Sequence, residues 1–147
     1  AEEALAELEH PEIRLNTKVG SLPIASQQIV EIARALATDA KLLLLDEPTA
    51  SLDLSHQIRV MDLMEKLKTE KAVTVVMVSH DVNLAAMYGD QLLLLKAGEI
   101  VCMGAPNEVL NFKTLEETYG CKLLVDTSPL GDLPRVTVVP HKFLNRK

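Results

Sequence analysis

Residues 41–53 have the sequence KLLLLDEPTASLD, and this stretch decides the fold of the chain. Its four consecutive leucines predict a short strand that is buried on both faces, as in a parallel sheet. Asp46 and Glu47 follow at the carboxyl end of that strand, where open α/β sheets bind ligands. Pro48 ends the strand because it cannot donate to a ladder. An Asp-Glu pair alone most often begins a solvated turn, but the whole stretch favours a functional site in which Asp46 serves Mg²⁺ and Glu47 orients or deprotonates a water.

A second buried strand, predicted over Ala72–Val78, ends in Ser79, His80 and Asp81. A helix capped by Asp53 or Ser55 separates the two strands, and strand–helix–strand order predicts parallel pairing through a right-handed crossover. A single histidine after a strand is more often an ordinary surface residue. Its position one helix beyond the Asp-Glu pair instead favours convergence at one sheet edge, where His80 can contact a terminal phosphate.

Helical spacing of apolar residues predicts one further helix, from Gln27 to about Thr38. Residues 1–20 are predicted to be the end of a helix followed by a loop. The remaining predicted elements are two short hairpins and three short helices: helix 82–88, hairpin strands 91–95 and 99–102, helix 106–110, helix 114–119, and hairpin strands 121–126 and 135–139.

The composition of the chain argues against some classes of binding partner and some locations in the cell. The 147 residues carry 15 basic and 21 acidic side chains, a net charge of −6, and no basic cluster. This balance argues against a nucleic-acid partner. The acidic amino terminus is unlike a signal peptide, and the longest apolar runs are too short to span a bilayer. We therefore expect a cytosolic chain, or a cytosolic part of something larger.

The motifs together resemble the nucleotide-binding domain of ATP-binding-cassette (ABC) transporters. Leu42–Glu47 resembles the Walker B strand with its catalytic glutamate, Ala50–Asp53 the D-loop, and His80 the switch histidine. Residues 27–36 resemble the helix that follows the family's signature loop. The resemblance implies an α/β fold: part of a P-loop NTPase-type parallel sheet flanked by helices, with C-terminal β-hairpins.

The resemblance also implies an organisation and a place in the cell. Residues 1–38 would end the helical subdomain and contain the signature helix, residues 39–104 would form the Walker B, D-loop and switch-histidine core, and residues 105–147 would be a C-terminal extension. The intact domain would be an ATPase that lies peripherally on the cytoplasmic face of the inner membrane. Its partners would be a transmembrane permease subunit and a second ATPase subunit.

Roles for individual residues follow from the same resemblance. Glu47 and His80 would be catalytic, and Asp46 would bind Mg²⁺ and thereby the ATP cofactor. Ser51 and Asp53 would communicate across a dimer that encloses ATP. The isolated chain is expected to be inactive.

Shorter stretches of the sequence resemble two different groups of ABC importers. Residues 52–57, 80–86 and 104–110 resemble importers of iron chelates, haem and cobalamin, whereas residues 27–33 are closer to sugar importers. The alternative to an ATPase is a non-enzymatic function. In that case the chain would be a degenerate ABC-type module that regulates or binds a partner. The ABC ATPases of DNA repair have long heptad arms, and none is present here.

The signature loop departs from the family's Leu-Ser-Gly-Gly-Gln, since residues 22–26 are Leu-Pro-Ile-Ala-Ser. In the family this loop binds the γ-phosphate held by the opposite subunit. Pro23 has neither hydroxyl nor N–H, and Ile24 and Ala25 add Cβ atoms where backbone should approach phosphate. Ala25 and Ser26 remain the candidate phosphate contacts, because Ser26 can restore a hydroxyl. The simpler alternative is that Leu22-Pro23 only begins a helix.

A phosphate-binding P-loop is also missing. That loop needs Gly-Lys followed by Ser or Thr, and none of the six glycines precedes a lysine. The sequence therefore predicts either an excised portion of an ATPase domain or one piece of a split domain.

Overall fold

The computed structural model describes residues 13–14 and 16–144. They form two compact units that divide after His80. The helix end predicted within residues 1–20 falls largely on residues 1–12, outside the described residues. The division by motif into residues 1–38, 39–104 and 105–147 stays a prediction. None of the described helices combines the length and the hydropathy that crossing a membrane requires.

The first unit is a two-stranded parallel sheet with two long helices. After a 3₁₀ turn at Val19–Ser21 come α1 (Ile24–Ala37), β1 (Leu42–Asp46), α2 (Leu54–Lys71) and β2 (Thr74–Val78). The strands pair in register from Leu42 with Thr74 to Asp46 with Val78, which confirms the predicted parallel pairing. Both strands therefore end at the same edge of the sheet.

The core of this unit lies between the helices and one face of the sheet. Leu43 is buried in it, and Leu45 and Val75 pack against it. The other buried members come from both helices, the strand entry and the segment before α1: Ile13, Ile29, Ile32, Ala33, Val60, Leu63, Met64, Leu67 and Val73. In α2, Ile58 lies outside this core and is exposed.

The prediction that β1 is buried on both faces is wrong. Leu42 and Leu44 are 52% and 68% exposed, and Val76 and Val78 on β2 are each 52% exposed. Side chains alternate between the two faces of a strand, so these four lie on the face opposite the core. Within the first unit, α1 and α2 cover only one side of this sheet, and the other side is open.

Helix α1 begins three residues earlier than predicted. Pro23 is its N-cap residue, with φ −55°, and the N–H of Gln27 donates to the Pro23 carbonyl at 3.0 Å. Proline's fixed φ suits the start of a helix, which explains the earlier beginning. The structure therefore shows that a helix begins directly after Leu22-Pro23, and the phosphate contacts of Ala25 and Ser26 stay a prediction.

The second unit contains two antiparallel hairpins and four short helices. In order these are α3 (Val82–Tyr88), β3 (Leu92–Lys96), β4 (Glu99–Gly104), α4 (Pro106–Val109), α5 (Phe112–Tyr119), β5 (Leu123–Thr127), β6 (Pro134–Val138) and α6 (His141–Leu144). Both predicted hairpins are confirmed. Ala97 and Gly98 turn the first hairpin with positive φ angles of 51° and 83°, as a tight two-residue turn requires.

The side chain of Leu115 is the centre of the second core. It is fully buried, in a cluster with Ala86, Val109, Leu110 and Leu123. We expect Leu115→Ala to lower the free energy of unfolding of this unit by about 2–5 kcal/mol, because it leaves a cavity. Urea denaturation followed by circular dichroism measures this change. Leu130→Ala is the matched control: Leu130 is 75% exposed, and its substitution should change the free energy by no more than about 0.5 kcal/mol.

Candidate functional site

The carboxyl ends of β1 and β2 bring Glu47 and His80 together. The pairing of the strands continues one residue beyond β1, because the N–H of Glu47 donates to the carbonyl of Val78 at 3.1 Å. Two residues after Val78, His80 Nε2 lies 2.8 Å from Glu47 Oε1. The side chains are 82% and 42% exposed, respectively. The structure thus holds the two predicted catalytic residues in hydrogen-bond contact at an accessible sheet edge.

The backbone at Glu47 has an unusual conformation. Its φ is 47°, in the left-handed region that non-glycine residues rarely adopt, at a cost of about 1–3 kcal/mol. The following turn is anchored on both sides: Pro48 and Thr49 are buried, and the Ala50 N–H donates to the Glu47 carbonyl at 3.0 Å. The packing of Pro48 and Thr49 in the interior holds the backbone of Glu47 in its strained conformation. In that conformation the Glu47 carboxylate lies beside His80.

The side chain of Gln57 supplies a contact that sequence reasoning missed. Its Nε2 donates to the Thr49 carbonyl at 3.2 Å, which ties α2 to the turn after Glu47. The signal in the sequence is weak: Gln57 lies one turn into the helix after the Asp53 cap, and helices commonly carry glutamine there for other reasons.

The carboxylate of Asp46 lies on the open side of the sheet. By alternation it shares the face of Leu42 and Leu44, and it is exposed. Among the described residues, no three His, Cys, Asp or Glu side chains converge as a complete metal cluster. Mg²⁺ is usually held by one or two carboxylates together with water and phosphate oxygens. A single carboxylate at this position therefore fits a Mg²⁺ that is bound together with a nucleotide.

Asp53 is the N-cap residue of α2, one of the two caps predicted. Its Oδ1 accepts from the His56 N–H at 3.0 Å and from Ser55 Oγ at 2.9 Å, and its Oδ2 lies 2.8 Å from His56 Nδ1. The backbone hydrogen bond from His56, with those from the two side chains, holds the pKa of Asp53 well below its usual value. Ser51 precedes it in an exposed loop with φ 63°. The loop that contains both predicted dimer contacts is therefore exposed and held by a fixed cap.

Ala25 and Ser26 belong to a different element, the first turn of α1. Within the described residues, no side chain accepts a hydrogen bond from the first backbone amides of this helix. Ala25 and Ser26 are half-buried, whereas Ile24 is 52% exposed.

The second unit has a depression of about 600 Å³ next to Asn107 and Asp126, but none of the predicted site residues lines it.

Comparison with known proteins gives both sequence and structural relatives. Residues 1–50 match the family model described as ABC transporter. The hemin import ATP-binding protein of Vibrio cholerae is 42% identical over 79% of this chain and 47% of its own length. The ferric enterobactin transport ATP-binding protein of Escherichia coli is 38% identical over 80% of this chain and 44% of its own. The cobalamin import ATP-binding protein of Halobacterium salinarum is 40% identical over 84% of this chain and 31% of its own length.

Solved structures agree with the sequence relatives. An ABC transporter described as of metal-chelate type, in an inward-facing conformation, has a TM-score of 0.85 at 26% identity, over 96% of this chain and 56% of that chain. A dimeric ATP-binding cassette bound to ADP and Pi has a TM-score of 0.59 at 36% identity, over 70% of this chain and 46% of the other. The chain spans at most about half of the curated relatives named here. It is part of an ABC transporter ATPase domain of the P-loop NTPase fold, homologous to ATP-binding proteins for hemin, ferric enterobactin and cobalamin import.

Proposed function

We propose that this chain is the part of an importer's ATPase subunit that activates the attacking water during ATP hydrolysis. The observation that carries the proposal is the 2.8 Å contact between Glu47 and His80 at the common end of two parallel strands. A carboxylate at such an edge is placed to act on a bound phosphate, and open α/β sheets bind ligands there.

The two side chains can divide the work of hydrolysis. Glu47 orients the water and accepts its proton, since a carboxylate has only acceptor oxygens when ionised. His80 donates Nε2–H to Glu47, and this contact fixes the orientation of the imidazole. Its other ring nitrogen, Nδ1, would donate to the γ-phosphate when it carries a proton. A Mg²⁺ bound with ATP would neutralise charge on the phosphates, and Asp46 is the residue that would hold it.

The remaining predicted residues fit an assembly with a second ATPase subunit. The exposed loop that contains Ser51 and Asp53 is available for contact across such a dimer, and a related cassette has been solved as a dimer with ADP and Pi. A permease subunit would be the second partner, which would place the protein peripherally at the cytoplasmic face of the inner membrane. The relatives named above import hemin, ferric enterobactin and cobalamin. This favours haem, an iron chelate or cobalamin as the solute over a sugar.

Calorimetric titration with Mg-ATP tests the proposal at the binding step. We expect no stoichiometric isotherm at millimolar ATP for the chain alone, because P-loop amides and lysine are the main anchors of the triphosphate. The fused domain is a covalent fusion of this chain to the portion of the V. cholerae relative that this chain does not match. It should bind ATP with a stoichiometry of one, because that portion of an ATP-binding protein would supply the missing P-loop.

Asp46→Asn provides the control in the same titration. It should weaken binding of Mg-ATP to the fused domain and leave binding of metal-free ATP nearly unchanged, because only the Mg²⁺ contact is lost. A stoichiometric isotherm for the chain alone that disappears in Asp46→Asn would contradict the proposal. A folded fused domain that binds no ATP would favour the alternative, a non-catalytic module. Two features of the sequence already support that alternative: it has no Gly-Lys pair, and Pro23 stands in the signature loop.

A further inference from the structure

The loop between the Glu47 turn and α2 is short and has a defined shape. It consists of residues 49–53, and the N–H of Leu52 donates to the Thr49 carbonyl at 3.3 Å. Thr49 is buried, whereas Ser51 at the tip is exposed. The loop therefore has an anchored beginning and an accessible tip.

Two non-glycine residues in this region have left-handed backbones. Glu47 has φ 47° and Ser51 has φ 63°. Such conformations are unfavourable for residues with a Cβ atom, and they persist only where surrounding contacts hold them. They cluster at functional sites. The loop must therefore be held in this shape by contacts outside its own backbone.

Two consecutive side chains of α2 hold the loop at its two ends. Gln57 Nε2 donates to the Thr49 carbonyl at 3.2 Å, at the start of the loop. His56 Nδ1 lies 2.8 Å from Asp53 Oδ2, at the end of the loop. We call His56 and Gln57 the clasp.

The charge of Asp53 determines the direction of its hydrogen bond with the His56 ring. The His56 backbone N–H, the His56 ring and the Ser55 hydroxyl hold the pKa of Asp53 well below its usual value. The carboxylate is therefore ionised at neutral pH and only accepts hydrogen bonds. His56 Nδ1 must then carry a proton and donate it, in a charge-assisted bond that is stronger than a neutral one.

Neither contact of the clasp is needed to begin α2. Asp53 Oδ1 already accepts from the His56 backbone N–H at 3.0 Å, which is the ordinary cap of a helix. The Thr49 carbonyl likewise already accepts from the Leu52 N–H. The clasp thus adds a second bond at each end, and both bonds act on the loop rather than on the helix.

The loop is joined directly to the turn that contains the proposed general base. The Ala50 N–H donates to the Glu47 carbonyl at 3.0 Å, so a shift of the neighbouring Thr49 would reach Glu47 through a single turn. At the other end, Ser51, a predicted contact across a dimer, lies two residues before Asp53. The clasp is therefore placed to act on both Glu47 and Ser51.

We propose that His56 and Gln57 are positioning residues, which hold Glu47 and Ser51 in their left-handed conformations before ATP or a second subunit is bound. The consequence for hydrolysis rests on the proposed function, whereas holding the loop requires no ATP. The competing explanation is that both contacts are ordinary surface hydrogen bonds, which leave the loop unchanged when they are removed.

Hydrogen exchange of the full chain, followed by NMR, tests whether the clasp holds the loop. The backbone amides of Ala50 and Leu52 are the readout, because both donate hydrogen bonds within this region. Gln57→Met removes the donor at nearly constant side-chain length, and His56→Leu removes the imidazole. Each should speed exchange at these amides about fivefold, the factor that one hydrogen bond contributes. The amides of α1 should exchange at parental rates, which would show that the unit stays folded.

A rescue variant and a control complete the exchange measurement. His56→Asn should keep exchange within about twofold of the parent, since its side-chain amide donates from nearly the position of Nδ1. Glu70→Ala, on the exposed end of α2, should leave exchange unchanged. Three results would overturn the proposal: parental exchange in both Gln57→Met and His56→Leu, the same increase in Glu70→Ala, or exchange in His56→Asn as fast as in His56→Leu.

Steady-state kinetics of the fused domain test the step from the loop to hydrolysis. Gln57→Met should lower kcat about fivefold and leave KM for ATP within about twofold of the parent, because the clasp acts on Glu47 and not on the phosphate anchors. Calorimetry counts the ATP-binding domains, so that a smaller folded fraction is not mistaken for a lower kcat. A parental kcat in a variant whose loop exchanges faster would overturn the positioning role. If the parent fused domain hydrolyses no ATP, the proposed function fails, and the exchange measurement still decides whether the clasp holds the loop.

Discussion

Glu47→Gln in the fused domain is expected to slow ATP hydrolysis by about 10²–10⁴-fold, the usual contribution of a general base. ATP binding should stay close to that of the parent, because glutamine keeps the size of the side chain and its hydrogen bond to His80. The amide cannot accept the proton of the attacking water at neutral pH. Phosphate release measures the rate, and calorimetry measures the affinity.

ATP-bound dimers should accumulate in the Glu47→Gln variant, since binding proceeds while hydrolysis does not. Light scattering with ATP present detects them. Glu70→Gln, on the exposed end of α2, is the matched control and should hydrolyse ATP at the parental rate. A Glu47→Gln variant with parental turnover would remove Glu47 from the catalytic role.

Rewriting residues 23–26 from Pro-Ile-Ala-Ser to Ser-Gly-Gly-Gln is expected to raise the ATPase rate of the fused domain about tenfold or more. The change moves the hydroxyl from position 26 to position 23 and removes two Cβ atoms at the start of α1. Each charge-assisted hydrogen bond to the γ-phosphate is worth about 1.5–3 kcal/mol, so even one regained bond gives this factor. The ATP-bound dimer should also be stronger. Paired measurements of ATPase rate and light scattering check both effects.

An intermediate variant separates the two causes. Ile24→Gly with Ala25→Gly, with Pro23 retained, tests the approach of the backbone without the hydroxyl. The structure offers a specific competing explanation: α1 begins at Ile24, and its uncapped first turn already contains Ser26. If the parent, the intermediate and the rewritten loop show equal rates and equal dimer fractions, then that turn suffices and the argument from Pro23 is wrong.

The meeting of Glu47 and His80 could be predicted because it depends on topology. Parallel strands end at the same edge, so polar residues after each strand must converge whatever the details of packing. The exact register needed the structure, which pairs Asp46 with Val78 and thereby sets His80 beside Glu47. The left-handed backbone of Glu47 could not be predicted, because the anchoring turn and Gln57 impose it through tertiary contacts.

The exposure of Leu42 and Leu44 shows where the sequence could not settle the fold. Four consecutive leucines contain no alternation, so they cannot indicate which face of β1 is covered by the described residues. The prediction of burial on both faces is therefore wrong, because the helices of the first unit cover one face only. The roles of Ala25 and Ser26 remain proposals for a related reason, because the phosphate they would contact would be held by another subunit.

Phosphate release by the fused domain, compared with the isolated chain at millimolar Mg-ATP, tests the central claim most directly. The account predicts steady, Mg²⁺-dependent release by the fused domain that depends on Glu47, and no release by the isolated chain. A folded fused domain that binds ATP but releases phosphate no faster than its Glu47→Gln variant would contradict it.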